Sequence, residues 1–201
     1  DPTGFSAALF RDKDTGRLIV SFRGTEPFGI QLVNDLLTAD ARIGLDGYAS
    51  PQSISLYRYI KQLITPQGQS VQYTAQELDG LKTIYLDRAD SPLELAARNL
   101  TWTTVQSDLL TDIGTALIPA GCPNLDFTGH SLGGHLAMLA SRFFPELGAQ
   151  VVTLNAPNFF SQSEPVLKLF SPGWDNSNII RMEAAGDGVS EIGTIYPGTR
   201  I

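Results

Sequence analysis

Histidine is close to absent: the 201 residues contain two, His130 and His135. Chemistry that needs an imidazole base must draw on that pair or on residues outside this sequence. Cysteine is rarer still. Cys122 stands alone, which excludes an internal disulfide framework and leaves an inert structural thiol as its ordinary role. No apolar run is long enough to span a bilayer. Basic charge is also scarce, with 14 Lys and Arg against 21 Asp and Glu for a net charge of -7, so the clustered cations that bind nucleic acid are missing. Asp1-Pro2-Thr3-Gly4 carry neither an initiator methionine nor a signal peptide, and the natural N-terminus is expected upstream.

What is present is an ordinary globular composition, 42% hydrophobic and 17% charged, long enough to bury one substantial core. We expect one domain over residues 1–201. Phe5 to Phe10 and Arg17 to Phe22 flank the turn-forming Asp12-Lys13-Asp14-Thr15-Gly16 and predict a β-hairpin. Ser50 as N-cap, Pro51 in the first turn, and Ile54, Tyr57, Ile60 and Ile64 at helical spacing predict a helix from Pro51 to Ile64. The stretch from Gln67 to Ala89 is polar and weakly periodic, which suits an insertion or a lid over a cleft as well as it suits an ordinary loop and helix. Ser91-Pro92-Leu93-Glu94 forms a capping box, and Leu93, Ala97, Leu100, Val105, Leu109 and Ile113 mark the apolar face of the helix it opens.

Leu125 to Thr128 then reads as a strand, and Leu132, Leu136, Leu139, Ala140 and Phe143 as one face of a following helix. Between them stands Gly129-His130-Ser131-Leu132-Gly133, with a further Gly134. Strand, tight turn and helix around Gly-x-Ser-x-Gly make a nucleophile elbow, in which only glycine fits beside a serine thrust out of the turn. The chain holds 19 glycines, so the pentapeptide alone is weak; its flanking elements make it strong. Ser131 is the expected nucleophile, and the Leu132 N–H, at a helix N-terminus, is the expected oxyanion donor. Val151 to Leu154 and Ile179 to Glu183 continue as strands, so the expected fold class is α/β, an α/β-hydrolase fold with a largely parallel central sheet and flanking helices.

The triad acid of this fold follows the elbow at the end of a later strand. Asp187, in Ala185-Gly186-Asp187-Gly188, meets that order, and Asp175, in a polar turn, is the weaker rival. The base is the difficulty. His130 precedes the nucleophile and is expected to pack or hydrogen-bond beneath the turn, and His135 lies inside the following helix, where a satisfied, buried imidazole is expected. A serine without a base is a poor nucleophile at neutral pH. The domain is therefore expected to be cut short at its C-terminus, with its histidine beyond Ile201, so that residues 1–201 alone are nearly inactive.

Ser21-Phe22-Arg23-Gly24-Thr25, Asn34-Asp35, Gly129-His130-Ser131-Leu132-Gly133-Gly134-His135 and Asn155-Ala156-Pro157 together resemble class 3-type lipases, closest to bacterial secreted lipases and phospholipases A1. The calcium-binding nonapeptide repeats of those relatives are absent from these 201 residues. The resemblance implies that Thr25 supplies the second oxyanion N–H, that the substrate is a lipid or other ester at a lipid–water surface, and that the protein is secreted. No cofactor is required for the chemistry. Asp79, Asp87 and Asp90 offer oxygens to a structural calcium ion, against the ordinary reading of solvated surface carboxylates. Two alternatives stay open: an esterase for soluble or polymeric esters, and a non-catalytic binding module on a hydrolase-like scaffold.

Overall fold

A computed structural model describes residues 4–24, 48–87, 89–122, 124–186 and 188–201, apart from the side chains of residues 50 and 51. Its centre is a six-stranded sheet in the order β1-β2-β3-β4-β5-β6. The strands are β1 (Ala7–Arg11), β2 (Leu18–Phe22), β3 (Leu125–His130), β4 (Gln150–Leu154), β5 (Ile179–Met182) and β6 (Thr199–Arg200). β1 and β2 form the predicted antiparallel hairpin, closed by Asp12, whose Oδ1 accepts from the Asp14 and Thr15 amides at 2.8 Å. Every later pairing is parallel. This is an α/β architecture, with helices between β2 and β3, β3 and β4, and β4 and β5.

One face of the sheet is dry. Leu18, Val20, Phe22, Leu125, Phe127, Val151 and Ile179 are all buried, and they alternate along their strands with half-exposed Ile19, Ser21, Asp126, Thr128, Val152 and Ile180. The period of two puts each set on its own face. Over the dry face pack α1 (Ser50–Ile64) and α4 (Leu132–Phe143). The cap of α1 differs from expectation: Ala49 occupies the N-cap with no side-chain hydrogen bond, and Ser50 is already helical. Its anchor is instead Asp112, buried after the third helix, whose carboxylate accepts from Arg58 at 2.6 and 2.9 Å and from the Tyr73 hydroxyl at 2.9 Å.

The Gln67 to Ala89 stretch contains a regular helix, α2 (Ala75–Asp87), that packs on α1 and buries Gly80, Leu81 and Ile84 in the core. A Cβ at Gly80 would stand 2.6 Å from the Phe170 ring, which would have to shift to admit it. The next helix, α3 (Pro92–Leu109), begins at the predicted cap: Ser91 Oγ accepts from the Glu94 amide at 3.2 Å, while Glu94 Oε2 accepts from the Asp90 amide at 3.0 Å. Its buried face only partly matches the predicted one, which holds for Val105 and Leu109. Trp102 and Leu109 are buried, whereas Leu93 and Leu100 are 82% and 81% exposed, and Ile113 lies past the helix end. α3 is an outer helix that docks only part of its circumference on α2. A short helix, α5 (Glu164–Leu167), lies between β4 and β5. Among the described residues, no helix is long and apolar enough to cross a membrane.

Candidate active site

Three close backbone approaches build the turn between β3 and α4. A Cβ at Gly129 would stand 2.2 Å from the Gly133 carbonyl carbon, one at Gly133 2.2 Å from the Phe22 carbonyl oxygen, and one at Gly134 2.6 Å from Ala156 Cβ. Any larger side chain would separate the strand from the helix. The turn forces Ser131 to φ 54, ψ -130, a region that a non-glycine residue occupies at a cost of roughly 1–3 kcal/mol. Hydrogen bonds hold it there: the Ser131 amide donates to the Leu154 carbonyl at 2.9 Å, and the Ser131 carbonyl accepts from Gly134 at 2.9 Å and His135 at 3.2 Å. Ser131 is only 8% exposed. Leu132 follows as the first residue of α4, where first-turn amides have no intrahelical acceptor and the helix dipole is positive.

β2 ends beside this turn. A Cβ at Gly24 would lie 2.5 Å from the His130 carbonyl oxygen and 3.6 Å from the Gly133 amide nitrogen. The Arg23-Gly24 backbone thus packs directly on the elbow, one residue before Thr25. Thr25, Asn34, Asp35 and Asp187 lie outside the described residues.

The two histidines have different surroundings. His130 is exposed at the end of β3 rather than packed beneath the turn. His135 is fully buried in α4, with Nδ1–H donating to the Pro157 carbonyl at 3.0 Å and Nε2 accepting from the Ala49 amide at 3.1 Å. Both nitrogens are occupied, so His135 has none left for Ser131. Burial pushes its imidazole down to about 4 from 6.5, opposed by the Pro157 hydrogen bond. The unfolded chain takes up a proton below about pH 6.5 while the folded protein resists it, so this contribution to stability is present above that pH and is lost as pH falls through 4. We predict that stability measured by urea unfolding declines by about 3 kcal/mol from this group between pH 7 and 4. The slope should flatten in His135→Gln, and an unchanged slope would refute the assignment.

The carboxylates sort by the edge of the sheet they occupy. Asp175 precedes β5 and so sits at the opposite edge from Ser131, which follows β3 in a parallel array. Hydrogen bonds from the Ser177 amide and hydroxyl hold its carboxyl below the usual range. Glu183, not singled out as a site residue in the sequence, follows β5 at the same end of the sheet as Ser131 and forms ion pairs with Arg181 and, at 2.6 Å, with Arg200. Leu154 and Met182, paired in register at the same edge, are 45% and 46% exposed. Asp79 and Asp87 lie on α2 and Asp90 beyond it, and among the described residues no three His, Cys, Asp or Glu side chains gather as a metal site.

No protein-family model matches this chain, and no curated protein does.

Proposed function

We propose that this chain is the catalytic part of an α/β-hydrolase that cleaves carboxylic esters of lipids, a triacylglycerol lipase or phospholipase A1, through an acyl-enzyme on Ser131. The observation that carries the reading is the strained backbone of Ser131, at φ 54 between a parallel strand and a helix N-terminus. Strain at a polar residue needs a return, and a hydroxyl presented beside helix-terminal amides supplies one. In the proposed reaction Ser131 Oγ attacks the acyl carbonyl and its proton passes to a histidine beyond residue 201, oriented by Asp187. The Leu132 and Thr25 amides stabilise the oxyanion, the alcohol leaves with the proton, and water then releases the acid. Exposed, apolar Leu154 and Met182, at the same end of the sheet as Ser131, support an apolar acyl group.

The complete protein, continued past Ile201, is expected to hydrolyse a short-chain aryl ester and to take up a fluorophosphonate on Ser131, seen as a mass increase on the peptide that contains it. Ser131→Ala should lose both. Equal hydrolysis by Ser131→Ala overturns the reading, and a parent protein that neither hydrolyses nor labels favours the binding module instead.

A further inference from the structure

Hydrogen bonds at the ends of β3 to β6 line up one row of side chains next to the elbow. The Ser131 amide donates to the Leu154 carbonyl at 2.9 Å, and the Asn155 amide to the Met182 carbonyl at 2.9 Å. The Ile201 amide donates to the Arg181 carbonyl at 2.8 Å, and the Ile201 carbonyl accepts from the Glu183 amide at 3.2 Å. Bonds to the residues on either side of Met182 place Ile201 directly across from it, as in any parallel ladder. Leu154 pairs in register with His130 on one side and Met182 on the other, so His130, Leu154, Met182 and Ile201 form one row. Paired residues share a face, and this row lies on the face away from α1 and α4, with half-exposed Val152 and Ile180 behind it.

The row changes character at the nucleophile's own strand. His130 is exposed and polar, whereas Leu154, Met182 and Ile201 are apolar and 45%, 46% and 71% exposed. Three adjacent apolar side chains in water at one end of a sheet leave free energy for an apolar ligand to recover by covering them. We propose that Leu154, Met182 and Ile201 form an acyl-chain track: the fatty acyl group carried by Ser131 runs across the ends of β4, β5 and β6, and each strand meets a successive segment of it. The inference rests on reading Ser131 as the nucleophile of an ester hydrolase. At roughly 4.8 Å per strand, Met182 stands about 10 Å and Ile201 about 14 Å from the end of β3. An extended chain advances about 1.2 Å per bond, so Leu154 faces roughly the first four carbons, Met182 the region up to about the eighth and Ile201 that up to about the twelfth. The preferred substrates are therefore esters of medium-chain fatty acids, about eight to twelve carbons long.

The test uses the complete protein and a series of p-nitrophenyl esters from acetate to laurate, and it reads ratios of kcat/KM within each variant. In the parent, kcat/KM is expected to rise along the series by about twofold per methylene, as half-burial of a chain on an open surface gives. Each substitution should then act at its own length. Leu154→Ser is expected to lower the butyrate-to-acetate ratio by about threefold, Met182→Ser the octanoate-to-butyrate ratio by about fivefold, and Ile201→Ser the laurate-to-octanoate ratio by about threefold. Thermal melting checks that each variant stays folded. Met182→Leu, which keeps an apolar side chain of similar volume, should hold the octanoate-to-butyrate ratio within about twofold of the parent. Ratios that match the parent in all three serine variants, or that fall by one common factor at every chain length, overturn the proposal. A parent whose kcat/KM declines steadily from acetate onward overturns it as well. If Ser131→Ala hydrolyses the whole series as the parent does, the nucleophile assignment fails instead, whatever the track residues do.

Discussion

Ser131→Gly in the complete protein is expected to lower ester hydrolysis by about 10⁴-fold or more, as loss of a nucleophile does in triad enzymes, and at the same time to raise stability. The two effects have opposite signs because they have different causes. The rate depends on the hydroxyl, whereas the stability depends on a backbone held at φ 54, ψ -130. Glycine releases roughly 1–3 kcal/mol of conformational strain and returns about 1 kcal/mol through the freer unfolded chain. The net gain is about 1 kcal/mol, read as a higher urea midpoint at constant slope. Ser131→Ala should lose the same activity without the gain, since alanine has a Cβ and keeps the strain. A glycine variant no more stable than the alanine variant would show that the turn is relaxed and would remove the main support for the elbow.

Gly133→Ala should be strongly destabilising. Its Cβ would stand 2.2 Å from the Phe22 carbonyl oxygen and 2.9 Å from both the Arg23 carbonyl carbon and the Gly24 amide nitrogen. None of these atoms belongs to a flexible side chain. Relief requires moving the end of β2 away from α4, so the expected loss is about 3–5 kcal/mol, the upper range for point substitutions. Gly173→Ala is the control: no other atom lies within 4 Å of its Cβ position, and its effect should stay within about 0.5 kcal/mol. Chemical denaturation of the two variants checks both values, and a Gly133→Ala protein as stable as Gly173→Ala would contradict the close packing of β2 on the elbow.

The same steric logic explains what was legible in the sequence. Gly129, Gly133 and Gly134 are fixed by contacts within a few residues or between adjacent strands, so their spacing around Ser131 predicts the turn. The hairpin and the Ser91 cap are equally local. The buried face of α3 is not, because it depends on where α2 lies: Leu93 and Leu100 continue a helical period yet face outward, while Trp102 meets Tyr85 of α2 at 5.8 Å between ring centres. α2 itself gives a weak signal because only Gly80, Leu81 and Ile84 are buried. The row of Leu154, Met182 and Ile201 carries no local pattern at all. Its members are far apart in sequence and meet only through strand pairing.

The strand order of the sheet follows the chain order from β1 to β6, and this has a kinetic consequence. β3 to β6 pair with neighbours reached through short connections, and β1 closes on β2 through a tight turn. Joining β2 to β3, however, must wait until the chain carrying α1, α2 and α3 has looped back on itself. Loop closure of that length makes this pairing the slow, late event in forming the sheet. The elbow rests on it, since Gly133 meets Phe22 across that same seam. A chain synthesised from its N-terminus would hold an open hairpin edge at β2 until β3 emerges, and the seam beneath Ser131 would close only then.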